Sequence, residues 1–296
     1  MKEAVACIVV AFLAIGCANN VEQAAPDPAP DCPHTSKAFG GGPAVFRFAV
    51  MADRTGAARP GVFEEAVEKL NLLQPDFVMT VGDMIEGQTY VLSDLQKMRA
   101  EFEAIVDRLE MPFFYVPGNH DISNSFMAKE WAWRYKRPYY HFVYRNVLFL
   151  CLNTEDSPNG SLGEAQIAYA ADVLASNADV RWTFVFMHRP MWADAKFTEW
   201  KRIESLLAGR PHTVFAGHVH AYSMHEQNGG TYLTLATTGA NSPLLGPELG
   251  TFDHIMWVTM TDAGPRIANL LFDGILDQRA QHPEVRAVDV GPAETR

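Results

Sequence analysis

Six short apolar runs, rich in β-branched and aromatic residues, recur along the middle of the chain: 46–51, 77–81, 113–116, 147–152, 182–187 and 213–216. Runs of this length with few polar interruptions form strands buried on both faces. Between most of them lie stripes at three- and four-residue spacing. Phe63, Val67, Leu70 and Leu73 follow the helix-opening Pro60. Leu95, Met98, Phe102, Ile105 and Leu109 follow Ser93–Gln96, which reads as a capping box, and Ile167, Ala171 and Leu174 follow a second one at Ser161–Glu164. These stripes are core-facing helix surfaces. Strand and helix in alternation predict a largely parallel sheet with right-handed crossovers.

Later runs read differently. Residues 232–236, 254–260 and 267–272 suggest antiparallel strands, the last two joined through Asp262-Ala-Gly-Pro, and 140–144 with 147–152 suggest a hairpin. The expectation is one mixed α/β domain of two packed sheets, about residues 44–278, with no internal repeat.

Five of the six runs stop at a residue able to hold a metal: Asp53, Asp83, Asn119-His120-Asp121, His188, and His218-Val-His220. In a parallel sheet the carboxyl ends of the strands share one edge, where open α/β folds place ligands. Residues scattered over more than half the chain therefore converge. Carboxylates, an amide oxygen and imidazoles without a thiolate suit Zn, Mn or Fe, with Ni a further option; structural zinc would bring cysteines at tight spacing. Of the ten His, His34, His141, His212, His225 and His282 lie off these strand ends and read as ordinary core or surface residues, and His254 follows the Gly-rich stretch 237–250. Gly160-Ser-Leu-Gly163 lacks nucleophile-elbow spacing and there is no P-loop.

The series Asp53, Gly82-Asp83, Gly118-Asn119-His120-Asp121, His188, Gly217-His218-Val219-His220 resembles the calcineurin-like metallophosphoesterase superfamily, over about residues 44–275. The resemblance implies a four-layer α/β/β/α sandwich and hydrolysis of a phosphate mono- or diester at two divalent ions, Mn, Zn or Fe. By it, Asp83 bridges the ions, Asp53 and His220 serve the first, and Asn119, His188 and His218 serve the second. A hydroxide bridging the ions would attack phosphorus in line. His120 would donate a proton to the leaving oxygen or bind phosphate, with Asp121 holding its orientation or simply capping the loop.

The first motif departs from the family. It reads Asp53-Arg54-Thr55 where Asp-x-His is usual, so the first ion lacks an imidazole. Water or Thr55 fills the place, another residue does, or the first site is weak. Purple acid phosphatases also lack that His and use a Tyr three residues after the bridging Asp. The position here is Glu86, read either as reaching the first ion or as a solvated loop carboxylate. Arg54 and Arg189 adjoin candidate ligands and are candidate phosphate clamps, with surface salt bridges the alternative. Trp131, Trp133, Trp192 and Trp200 follow the ligand loops, as packing or as pocket walls. The alternative function is a catalytically weak or inactive metal-binding lipoprotein on the same fold.

The chain begins with an apolar run, Ala4–Gly16, too short to span a bilayer but suited to an export signal over residues 1–17. Its end, Leu13-Ala-Ile-Gly-Cys17, resembles a bacterial lipobox, which makes Cys17 the lipidation candidate, with plain secretion as the alternative. Residues 18–43, rich in Pro, Ala and Gly, read as a flexible tether, and 279–296 as a loose tail. The expected setting is a bacterial membrane-anchored lipoprotein, or a periplasmic or extracellular protein, attached to membrane only through that lipid. Cys151 reads as a core thiol, and a bridge to Cys32 is permitted but not required. The net charge of −11 argues against bulk nucleic-acid binding driven by counterion release, and the family resemblance implies a small-molecule or lipid phosphoester as the expected partner.

Overall fold

Each apolar run forms a strand because the fold covers both of its faces. The structure is a computed structural model describing Thr35 and residues 45–157, 160–272 and 274–277. Along the chain come β1 (Phe46–Met51), α1 (Val62–Leu73), β2 (Phe77–Thr80), α2 (Leu92–Val106), β3 (Phe113–Phe114), α3 (Ser125–Arg134), β4 (Tyr140–Tyr144) and β5 (Val147–Cys151). Then follow α4 (Glu164–Ser176), β6 (Trp182–Phe186), α5 (Thr198–Leu207), β7 (His212–Ala216), β8 (Ser223–Gln227), β9 (Gly230–Thr234), β10 (His254–Thr261), β11 (Gly264–Leu271) and β12 (Gly274–Asp277).

The strands make two mixed sheets, ordered β12-β11-β10-β1-β2-β3 and β4-β5-β6-β7-β9-β8. Strands β1, β2 and β3 run parallel, as do β5, β6, β7 and β9, with antiparallel neighbours outside them. Alternate residues of β1 go to opposite layers. Phe46, Phe48 and Val50 join Phe77, Phe149, Phe184, Phe186 and Phe215 between the sheets. Ala49 and Met51 pack outward with Phe63, Leu70, Phe102 and Trp131 of α1, α2 and α3. On the far side, Leu148, Val185 and Val214 pack against Ile167 of α4 and Trp200 and Ile203 of α5. The result is α/β/β/α. The middle layer is largely aromatic, with Phe48 stacked on Phe77 at 5.4 Å and Phe142 on Phe149 at 4.7 Å, so large planar groups fill the gap between two twisted sheets.

Local chemistry differs from expectation in places. Neither capping box forms: α2 is capped by Val91, with Ser93 already inside the helix, and α4 by Gly163, with the Ser161 hydroxyl turned to Ser157. Packing of the apolar face, rather than cap chemistry, sets those helix starts. Strand β9 runs parallel to β7 and antiparallel only to β8, a short strand with little apolar character. Helices α3 and α5 add to the expected set. Thr35, in the expected tether, exchanges hydrogen bonds with Phe113 on the edge strand β3. Cys151 is buried in the central core. The expected signal, Cys17, Cys32, the rest of the tether and the tail 279–296 lie outside the described residues. Among the described residues no helix is long and apolar enough to cross a membrane.

Candidate metal centre

The loops after β1, β2, β3, β6 and β7 meet above the strand ends and are tied to one another through the backbone. The Asp83 carbonyl accepts from the N–H of Arg54 and Thr55, the Asp53 carbonyl from Thr238 and Ala240, and the His188 carbonyl from Gly217. Two glycines are demanded by close approach. A Cβ on Gly118 would stand 2.2 Å from Asp83 Oδ1, and one on Gly217 2.2 Å from Asp53 Oδ2. Asp83, His218 and His220 hold left-handed backbone, with φ of 57°, 71° and 56°, a strain that surrounding contacts must maintain.

Two triplets gather ligand atoms within 4.8 Å: Asp83, His188 and His218, and Asp53, Asp83 and His220. Asp83 belongs to both. His188 donates Nδ1–H to the Val81 carbonyl at 2.9 Å, so its neutral Nε2 turns a lone pair towards Asn119 Oδ1 at 3.0 Å and Asp83 Oδ2 at 3.2 Å, both acceptors. His218 accepts from Arg189 at Nε2, so its neutral ring donates Nδ1–H to the same His188 Nε2 at 3.2 Å. His220 likewise donates Nδ1–H to the Asn241 carbonyl at 2.9 Å, leaving Nε2 3.4 Å from Asp53 Oδ1. Asp53 Oδ2 is buried without a hydrogen-bond partner among the described residues.

Acceptors facing acceptors in a buried place require something positive between them. A proton is one answer. Burial opposes a charge on His188, yet the Asp83 and Asp53 carboxylates push its pKa up; burial likewise opposes the Asp83 charge, yet His188 and the His120 N–H pull that carboxyl down. Divalent cations are the other answer, and the donor set of carboxylates, an amide oxygen and tautomer-fixed imidazoles suits them. His218 is held neutral, its pKa lowered to about 3 by burial, His188 and Arg189.

A family model for calcineurin-like phosphoesterases matches residues 46–222, well over half of the chain. The chain belongs to that family. No curated protein matches it in sequence. Its fold is similar to a purple acid phosphatase from yellow lupin (Lupinus luteus) seeds, at TM-score 0.61 and 15% identity over 83% of this chain and 56% of that one. The phosphoesterase thus spans little more than half of the lupin protein's length. It is similar to a dimetal phosphatase from Danio rerio, at TM-score 0.58 and 16% identity over 78% and 96% of the two chains. It is also similar to the anchor in the inner membrane complex of Plasmodium, at TM-score 0.53 and 14% identity over 77% and 85%.

Other candidates have different surroundings. Arg54 turns away, donating to the Met84 carbonyl and to Glu101 on α2 over the Phe102 ring; it is a salt bridge, not a clamp. Arg189 stays at the centre, with Nη1 3.1 Å from His218 Nε2 and two further N–H on the Glu155 carboxylate. Glu86 belongs to neither triplet. Its carboxylate takes the N–H of Ala58 at 2.8 Å and of Gly56 and Ala57 at 3.4 Å, bracing the Asp53 loop. Its carboxyl lies below the usual range: partial burial opposes ionisation, but Thr55 and those amides outweigh it. Thr55 is buried, and its hydroxyl makes no well-formed hydrogen bond among the described residues.

His120 Nδ1 sits 2.8 Å from the Glu86 carbonyl, so Glu86 rather than Asp121 orients this ring. Asp121 is fully buried and braces the loops. Its carboxylate accepts from Gly118 and Met84 N–H, and Arg99 donates to both its side chain and its carbonyl. Trp131 and Trp200 are packing, Trp192 packs on Tyr232, and Trp133 is exposed. His254 is buried between Ala236 N–H and Asn269. Arg99, Glu155 and Asn241 were not anticipated. Arg99 left one trace, since it occupies a core position between Leu95 and Phe102 on the α2 stripe.

Proposed function

We propose that the chain is a dinuclear phosphoesterase acting on a small-molecule or lipid phosphate ester outside the cytoplasm. One observation carries the reading: the acceptor atoms of Asp53, Asp83, Asn119, His188 and His220 converge, and with His188 and His220 neutral the one side-chain N–H that reaches them among the described residues is His218 Nδ1–H, on His188. Asp53 and His220 would hold one ion, Asn119, His188 and His218 the other, and Asp83 both. Divalent ions held by these residues would supply positive charge to phosphate and a more acidic bound water. Such ions would also offset part of the chain's −11 charge.

In the hydrolysis, the water oxygen bonds to phosphorus, the P–O bond to the leaving alcohol breaks, and that alcohol oxygen takes up a proton. His120 supplies it or binds a phosphate oxygen. Its Nδ1–H is engaged by the Glu86 carbonyl, which leaves Nε2 on the side of Gly56 and His220. Arg189, anchored by Glu155, would use its remaining N–H groups on phosphate oxygens. The signal-like residues 1–17 and Cys17 would attach the enzyme to a bacterial membrane from outside; a Cys17→Ser variant should leave the membrane fraction.

The test is turnover of p-nitrophenyl phosphate and bis-(p-nitrophenyl) phosphate by the protein loaded with Mn²⁺, Zn²⁺ or Fe²⁺. An Asp83→Asn control should be inactive, and His120→Gln should lose about 10²- to 10⁴-fold in kcat while keeping its metal. If no metal raises turnover above the Asp83→Asn control, the second reading takes over: a metal-binding lipoprotein with little or no activity, favoured by Thr55 at the first motif.

A further inference from the structure

A cavity of about 680 Å³ opens beside the ligand cluster, between the start of α3, the loop before α2 and the loop beyond β5. Asn119 and Arg189 line it, and both touch the cluster, through His188 and His218 respectively. An ester whose phosphate sits at the cluster therefore has room on this side for its alcohol. The volume suits a sugar-sized group.

The lining narrows the chemistry. No aromatic residue lines the cavity among the described residues, so a nucleobase finds no stacking surface. Among the described residues its one cation is Arg189, paired bidentately with Glu155 and with its remaining N–H groups towards the ester phosphate at the cluster; with Asp156 the described wall carries one positive and two negative charges, a net −1 that disfavours a second phosphate. The larger apolar contributions are Ile122 and Ala128, too little to bed an acyl chain or an aryl ring. What remains is hydroxyls, amides and carboxylates. The Gln88 amide and the Ser125 hydroxyl lie on this wall and make no side-chain hydrogen bond to any described residue. Asp156 anchors the opposite wall, accepting from the Gly163 N–H and the Gln166 amide.

We propose that this cavity is the leaving-group subsite and takes an uncharged, polyhydroxylated alcohol, so that the substrate is the phosphoester of a polyol or sugar. The proposal rests on the phosphoesterase reading above. Hydrolysis would break the P–O bond to the alcohol and release it with one added proton, phosphate keeping the water oxygen. Gln88 and Ser125 would exchange hydrogen bonds with its hydroxyls and determine specificity without touching phosphorus.

The test uses the full chain loaded with Mn²⁺. The ratio kcat/KM is measured for glycerol 2-phosphate, glucose 6-phosphate, AMP, pyrophosphate and p-nitrophenyl phosphate, in the parent, Gln88→Ala and Ser125→Ala. Both variants change exposed side chains and should fold as the parent does. One or both polyol esters should exceed AMP and pyrophosphate by about tenfold or more. Each variant should lower polyol kcat/KM about five- to tenfold, chiefly through KM, with p-nitrophenyl phosphate within about twofold of the parent. A preference for glycerol 2-phosphate over glucose 6-phosphate would point to a glycerol source, the reverse to a sugar. Preference for AMP or pyrophosphate, or equal losses on every substrate, would overturn the proposal. If no ester at all is turned over, the phosphoesterase reading fails, and calorimetry then decides the subsite. Glycerol 2-phosphate must bind more tightly than inorganic phosphate, and Gln88→Ala must erase the difference; otherwise the subsite is rejected.

Discussion

Removing the Arg99 guanidinium should disable the brace behind the metal centre. Arg99 lies on the α2 face that otherwise buries Leu95, Phe102, Ile105 and Val106, and none of its side chain reaches solvent. It donates to Asp121 Oδ1 at 3.2 Å and to the Asp121 carbonyl at 3.0 Å, lies 3.5 Å from Glu130 Oε2, and stacks over Trp131 and Tyr135. An Arg99→Met change keeps the apolar stem and strands two carboxylates. Breaking a buried ion pair from one side costs about 3–5 kcal/mol. Asp121 keeps the Gly118 and Met84 N–H, and Glu130 keeps Arg134, so the low end, about 3 kcal/mol, applies. At about 2–4 °C per kcal/mol for a domain of this size, thermal unfolding should fall by about 6–12 °C. Burial already raises the Asp121 carboxyl, and without Arg99 it should rise further. Circular dichroism melts of Arg99→Met, Asp121→Asn and the double variant at neutral pH test this, with the double losing less than the sum of the singles by about 1–3 kcal/mol. An Arg99→Met melt within about 2 °C of the parent, or strict additivity, would refute the brace.

Three further outcomes follow from the geometry. Chelation of metal by EDTA should lower the melting temperature by about 5–10 °C, because an ion at a hundred times its Kd contributes about 2.7 kcal/mol; no shift would argue against ions at this site. Gly217→Ala should weaken Mn²⁺ binding in calorimetry about tenfold or more, because the new Cβ meets Asp53 Oδ2 at 2.2 Å and Val81 Cγ2 at 2.9 Å. Unchanged affinity would remove Asp53 from the ligand set. Acid should act through His254, whose Nδ1–H is given to Asn269 and whose Nε2 accepts from Ala236, so that burial first, despite Asn269 and Asp253, lowers its pKa from 6.5 to about 4. Between those values the unfolded chain binds a proton that the fold refuses, so stability is intact above pH 6.5 and declines by about 3 kcal/mol as the pH falls to 4. In denaturant titrations of chelated protein, His254→Gln should be less stable at pH 7 yet flatter across that window. An equal slope in both proteins would contradict the assignment.

Much of the site was legible because a parallel sheet converts linear order into position. Asp53, Asp83, Asn119, His188, His218 and His220 each follow an apolar run, and carboxyl ends that share an edge must bring them close. The layers were legible for a similar reason, since runs buried on both faces and amphipathic stripes leave few ways to pack. Strands without that signature were not: β8 is polar and part-exposed, and Tyr232 belongs to a strand whose direction depends on its neighbour β7.

Side-chain direction is the part that only the tertiary structure decided. Arg54 and Arg189 both adjoin a ligand, yet Arg54 is drawn off by Met84 and Glu101, thirty and forty-seven residues away, whereas Glu155 holds Arg189 at the centre. Glu86 sits where the motif invites a metal ligand, but the amides of residues 56–58 claim its carboxylate. The His188 and His220 tautomers depend on the Val81 and Asn241 carbonyls, and the tie between the Asp83 and Asn119 loops depends on Arg99 and Asp121. A strand end determines where a Cα lies. The orientation of its side chain and the lone pair it presents come from partners far along the chain, and those partners are chosen only when the layers close.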